Sequence, residues 1–164
     1  MNAAPEVTPI PCLKDNYAYL LRCPSTGQTG VVDPSAAQPV LKVLRDRGWG
    51  LDYIFNTHHH WDHVGGNEEL KQEFPSVRIF GHQSDEGRIP GLTDGVQDGQ
   101  VIGFGDLNGF VIQPWTYHRS NNLCLGRCSL HRGYSFRCRL WSDLRRITPR
   151  HVFFTTSKDW FTST

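Results

Sequence analysis

Four histidines and an aspartate fall within six residues, His58-His59-His60-Trp61-Asp62-His63, directly behind the apolar run Tyr53-Ile54-Phe55. Imidazole nitrogen and carboxylate oxygen are the donors that borderline divalent metals prefer, zinc above all. The alternation His58-x-His60-x-Asp62 would put three donors on one side of an extended segment. His63 would turn the corner toward a second position, so a single stretch could serve two adjacent metals. A chance polar loop or a non-specific histidine sponge needs neither Asp62 nor the glycine pair Gly65-Gly66 that follows.

The elements that must position these donors can be read on either side. Asn16 to Leu21 reads as a strand, Pro24-Ser25-Thr26-Gly27 as a turn, and Thr29 to Asp33 as the returning strand. Asp33, before Pro34, could cap that turn or stand behind a ligand histidine and hold its ring. Pro39 suits a first helical turn, Val40, Leu41, Val43 and Leu44 line one face, and Gly48 ends the helix. Tyr53-Ile54-Phe55 is a short buried strand that delivers the donors at its C-terminal end, where open α/β sheets place their active groups. Asn67 reads as an N-cap, with Glu68 and Glu69 in the favourable first turn of a helix running through Leu70 to Phe74. Val77 to Phe80 is a further strand, Ile89 to Leu92 is irregular, and Asp98-Gly99 opens a hairpin returning through Phe110-Val111-Ile112. Strands alternating with helices indicate an α/β layered fold. There is no internal repeat and no GxxxxGK phosphate loop.

The net charge of +1 gives no argument for nucleic acid, but it conceals an asymmetry. Residues 1–110 carry 8 Lys+Arg against 14 Asp+Glu, and residues 111–164 carry 9 against 2. The five cysteines match no disulfide framework and nothing resembles a signal peptide, so a reducing, cytoplasmic setting is expected, with mitochondrion or plastid as alternatives. Cys124-x3-Cys128 beside His131 has poor spacing for a metal knuckle and no second pair follows. No apolar run approaches the ~20 residues needed to cross a bilayer, so no membrane partner is expected.

Three segments together resemble glyoxalase II, the hydroxyacylglutathione hydrolases of the metallo-β-lactamase superfamily. They are Ile10 to Leu20, Val31-Val32-Asp33-Pro34, and Asn56 to Asn67 with its His-x-His-x-Asp-His signature. The likeness runs from about residue 10 to 112 and includes Ile89-Pro90-Gly91 and Asp98-Gly99. It implies a four-layer αβ/βα sandwich with two divalent metal ions, usually Zn2+, sometimes Fe or Mn. His58 and His60 would hold the first and Asp62 and His63 the second. The implied substrate is a glutathione thioester, S-D-lactoylglutathione, attacked by a hydroxide held between the metals to give D-lactate and glutathione, with Asp62 acting catalytically through that hydroxide. Two metals would lower the pKa of water, polarise the carbonyl and stabilise the oxyanion and leaving thiolate. A monomer is expected.

The likeness stops after Ile112. The family continues with a T-P-G-H-T segment, then a G-D-T segment, and a later histidine. This chain reads Gln113-Pro114-Trp115-Thr116-Tyr117-His118 and then an arginine- and cysteine-rich tail. Reading the codons one base later changes this. The Trp115–Thr116 junction then encodes glycine, Thr116–Tyr117 admits histidine, and Trp141–Ser142 encodes another glycine. The allowed residues include PGHT, GDT and GCGR in family order. Residues 1–112 are therefore expected to form the N-terminal half of the hydrolase domain, and 113–164 an aberrant, poorly ordered, out-of-frame tail. His118, the apparent third ligand, would be an accident of frame, and the basic tail carries no periodic nucleic-acid patch. With the second sheet lost, apolar faces should lie exposed. Two other readings stand beside this one: another enzyme of the fold, such as a persulfide dioxygenase at a single iron, or an inactive regulatory isoform.

Overall fold

The computed structural model describes residues 5–97, 100–114 and 121–125. A six-stranded sheet runs in the order β1 (Glu6–Cys12), β2 (Asn16–Arg22), β3 (Thr29–Val32), β4 (Tyr53–Phe55), β5 (Arg78–His82), β6 (Asp94–Val96). The first three strands pair antiparallel, and β3 through β6 pair parallel. β1 carries Pro9 and Pro11, which are tolerated because it is the edge strand and lacks a partner on one side.

The parallel part needs three crossovers; helices supply the first two, and β5 reaches β6 through a 3-10 turn (Gln83–Asp85) and a loop. α1 (Ala37–Arg47) buries Ala37, Val40, Leu41 and Leu44 at helical spacing. It ends at Gly48, whose left-handed φ of 64° lets its N–H reach the Arg45 and Leu44 carbonyls. A single turn, α2 (Trp61–Val64), leads into α3 (Asn67–Glu73), which buries Leu70. These side chains join Leu20, Val31, Ile54 and Ile79 in a core on one face of the sheet.

A second core covers the other face. Leu21, Val32, Phe55, Phe80 and Val96 pack there against Ile102 and Phe104. The latter two belong to β7 (Val101–Phe104), which forms a three-stranded antiparallel sheet with β8 (Leu107–Pro114) and β9 (Asn121–Leu125). The described layers are thus helices, mixed sheet and second sheet. The expected exposure of the main sheet's second face is corrected: Phe55 and Phe104 are 0% exposed, because β7 supplies the covering side chains. Of the tail from 113, the described residues are Gln113, Pro114 and Asn121–Leu125, all of them in strands. His118, Cys128 and His131 lie outside the described residues, as do Asp98 and Gly99, although the hairpin read there exists as β7–β8, turning at Gly105-Asp106. No helix among the described residues is long and apolar enough to cross a membrane.

Candidate metal centre

β4 ends at Phe55, and the donors follow at its C-terminal end, beside the end of β3. Asn56 and Thr57 carry the chain out of the sheet. Asn56 N–H donates to Phe80 O, so the strand register extends one residue beyond β4. His58, His59 and His60 are non-helical, while Asp62 and His63 lie in α2. The extended alternation read through Asp62 therefore ends at His60, because the turn begins at Trp61.

The structure brings the imidazoles together. The ring of His58 lies 4.0 Å from that of His63 and 4.6 Å from that of His60, centre to centre. Asp62 Oδ2 is 3.4 Å from His63 Nε2. His58 and His63 are half-buried, whereas His60 and Asp62 are exposed, so the cluster opens to solvent.

Asp33 stands behind the cluster. Its backbone has a left-handed φ of 47°, a conformation that Asp tolerates better than most residues. This turns its carboxylate, 12% exposed, toward the donor loop. It accepts hydrogen bonds from Thr57 N (2.8 Å) and Thr57 Oγ1 (2.7 Å). Because that hydroxyl donates its one proton to Asp33, it can only accept from His58 Nδ1, 3.0 Å away. His58 is thereby held with Nδ1 protonated and Nε2 as its lone-pair nitrogen. His63 Nδ1 lies 3.0 Å from Asp33 Oδ2 but off the line of a hydrogen bond, so that contact is an attraction between charges. Both imidazoles thus turn Nδ1 back toward the Thr57–Asp33 unit.

Electrostatics separates the two rings. Burial, reinforced by the nearby charge of His63, pushes the His58 imidazole down to about 4, so it is neutral at physiological pH. Burial also works against charge on His63, but Asp33, with Asp62 beyond it, outweighs that and holds His63 above the usual histidine range.

Several supporting residues were not assigned these roles from sequence. The amide of Asn16 and the hydroxyl of Ser35 both donate to Asp62 O, tying β2 and the β3–α1 link to α2. Asn67, read as an N-cap, makes no cap; Gly66 occupies that position. The Asn67 side chain is 0% exposed and donates instead to Asn56 Oδ1 (2.8 Å) and Pro90 O (3.2 Å), while Asn56 donates to His63 O (3.2 Å). A buried carboxamide needs such partners, and only the fold brings residues 56, 67 and 90 together. The Gly65-Gly66 pair is steric. A Cβ on Gly66 would meet Pro34 O at 2.7 Å and Ala36 C at 2.9 Å.

The donor chemistry, with Nδ1 of His58 engaged by Thr57 and Nε2 left as its lone-pair nitrogen, fits a borderline divalent metal. Among the described residues no group of three His, Cys, Asp or Glu converges to hold an ion by itself.

The model of the metallo-beta-lactamase superfamily matches residues 14–131 of this chain. The chain is 50% identical over 99 residues to a hydroxyacylglutathione hydrolase of Synechococcus sp. (strain JA-2-3B'a(2-13)), a match covering 60% of this chain and 39% of that protein. It is 48% identical over 103 residues to a hydroxyacylglutathione hydrolase of Methylococcus capsulatus, covering 63% and 40%. The match thus spans about 40% of the length of these curated relatives. Among solved structures, ETHE1 from Myxococcus xanthus aligns with a TM-score of 0.58 at 21% identity, covering 73% of this chain and 53% of that one. The BLEG-1 B3 metallo-beta-lactamase aligns with a TM-score of 0.58 at 17% identity, covering 72% and 65%. At such identities the two structures speak for the fold alone.

Proposed function

We propose, from the premise that this chain belongs to the metallo-beta-lactamase superfamily, that it derives from a metal-dependent thioester hydrolase acting on S-D-lactoylglutathione. The superfamily implies a divalent-metal centre, and the reading here is a pair of ions, zinc in the first instance. The observation that carries the reading is the donor loop at the end of β4, with its histidines 4.0–4.6 Å apart and backed by Asp33. The identity of 43–50% to proteins named hydroxyacylglutathione hydrolase supplies the substrate class.

His58 and His60 would hold one ion, and Asp62 and His63 the other. Bound metal would lower the pKa of water and polarise the thioester carbonyl. The chain's own residues do the positioning. Thr57 and Asp33 set the tautomer of His58 and the orientation of His63, as outer-shell groups do at metal sites. Asn16 and Ser35 hold the backbone of Asp62 so that its carboxylate projects outward.

The reading extends to the tail. Residues from about 113 are an out-of-frame continuation, and this chain has little or no activity because the donors that should face the loop across the cleft are not encoded in this frame. The protein is taken to act in the cytoplasm as a monomer. The test compares the chain as written with one whose frame is restored near Gln113, both supplied with zinc, for S-D-lactoylglutathione hydrolysis. Restored turnover with a silent original is expected. Turnover in the chain as written equal to that of the restored one would overturn the tail assignment, and failure of both would overturn the substrate. The transcript across the codons for Val111 to Trp115 should show a one-base discrepancy, and a clean frame would refute the slip.

A further inference from the structure

His59 stands inside the donor run, yet its two nitrogens are already engaged. Nδ1 lies 3.1 Å from Asp85 Oδ1, and Nε2 lies 3.4 Å from Arg88 Nη1. An arginine only donates, so Nε2 must be the lone-pair nitrogen and Nδ1 the N–H. The Asp85 side chain is 2% exposed. Its Oδ1 takes both His59 and Arg88 Nη2, while Oδ2 is buried without a partner. A purely structural Arg–carboxylate pair favours the two-pronged fork that uses both oxygens. Here the contacts converge on the oxygen that faces the histidine.

The segment that carries Asp85 is itself firmly seated. It forms a 3-10 turn (Gln83–Asp85) after β5, and the N–H groups of Arg88 and Ile89 both return to Asp85 O. Ile89 is 3% exposed and packs over Gly81, where a Cβ would meet its Cδ1. One residue on, Pro90 O accepts from Asn67, which pairs with Asn56, which holds His63 O. Residues 85–90 therefore grip the donor loop twice, near its start through His59 and near its end through His63.

We propose that Asp85 is a positioning residue for the candidate metal centre: with Arg88 it occupies both nitrogens of His59, keeps that imidazole out of the donor set, and fixes the backbone between His58 and His60. The proposal rests on the metal reading above, but its first test does not. In the metal-free, 15N-labelled full chain, long-range 1H–15N spectra of the imidazoles should show His59 as the Nδ1–H tautomer. Asp85→Asn, whose carboxamide oxygen can still accept from Nδ1, should preserve that tautomer. Asp85→Ala removes both the acceptor for Nδ1 and the carboxylate that holds Arg88 against Nε2, and should shift His59 to the Nε2–H form. Should Asp85→Ala not fold, Asp85→Ser, polar but too short to reach Nδ1, takes its place. In cobalt(II) titrations read by visible absorption, Asp85→Asn should match the original chain within about twofold, and Asp85→Ala should bind about tenfold more weakly, the lower end of losses typical for outer-shell partners. An Nε2–H tautomer in the original chain, or unchanged spectra and unchanged cobalt affinity in Asp85→Ala, would overturn the proposal. Absence of cobalt uptake by the original and frame-restored chains alike would overturn the metal reading, and the tautomer spectra would still decide the role of Asp85.

Discussion

Asp33→Asn is the most informative single change in the site. The backbone contribution cancels, because Asn accepts a φ of 47° about as readily as Asp. What changes is the carboxylate. Asn keeps one acceptor for Thr57 N but turns an amide donor toward either Thr57 Oγ1 or His63 Nδ1, now 2.7 and 3.0 Å from Asp33 Oδ2. A hydrogen bond to a charged, buried acceptor contributes about 1.5–3 kcal/mol, so we expect a stability loss of about 2–3 kcal/mol from that range. For a domain of this size that corresponds to a fall in Tm of roughly 10 °C. The pH dependence carries a sign. His63 is held above its ordinary value of 6.5, so the stability it draws from Asp33 is fully present below pH 6.5 and lost as pH rises through its raised pKa. The gap between original and variant should therefore be larger at pH 5.5 than at pH 8.5, in thermal or urea unfolding. Equal stability within about 0.5 kcal/mol at both pH values, well inside the cost of one such bond, would refute the role assigned to Asp33. So would a larger deficit at the alkaline pH.

Three further outcomes follow from the same geometry. Gly66→Ala drives a methyl against the backbone of Pro34, Ala36 and Ala37, none of which can swing aside, and should cost about 1–3 kcal/mol by urea unfolding. Asn67→Ala strands the Asn56 carboxamide in a buried site and should cost at least about 1–3 kcal/mol, with backbone amide exchange faster at His63 and Val64 than in β2. His58 behaves oppositely to His63. Its depressed value of about 4 means that the stability of its neutral form is present above pH 6.5 and lost as pH falls toward 4. His58→Gln should remove that acid-side loss in unfolding experiments between pH 4 and 6.5, and should weaken zinc uptake measured by competition with a chromophoric chelator.

The donor loop was legible because ligand chemistry is local. A metal needs particular atoms at particular spacings, and His58, His60, Asp62 and His63 offer candidate donors within six residues. The strands at Asn16–Arg22, Thr29–Val32 and Tyr53–Phe55 were legible for a similar reason, since apolar runs bounded by turn residues carry their own period. β1 was harder to read because Pro9 and Pro11 disguise it, and only its place at the sheet edge makes them harmless. β6 is three residues long and draws its stability from pairing with β5, which no local pattern records.

By itself the sequence nominated a candidate donor set and determined the α/β alternation and the likeness to a family of thioester hydrolases. It left Asp33 between two roles, made Asn67 a cap and gave His59 no assignment. Tertiary structure decided those points. Whether a carboxylate caps its own turn or backs a histidine 30 residues away depends on which strands are neighbours, and β3 lies beside β4. Asn67 gave up the cap for Asn56 and Pro90 because burial makes an unpaired amide costly. His59 is held apart from the other histidines by Asp85 and Arg88, residues 26 and 29 positions along the chain. Chemistry written in side-chain identity survives in one dimension, whereas the engagement of each nitrogen and oxygen is a property of neighbours that only folding supplies.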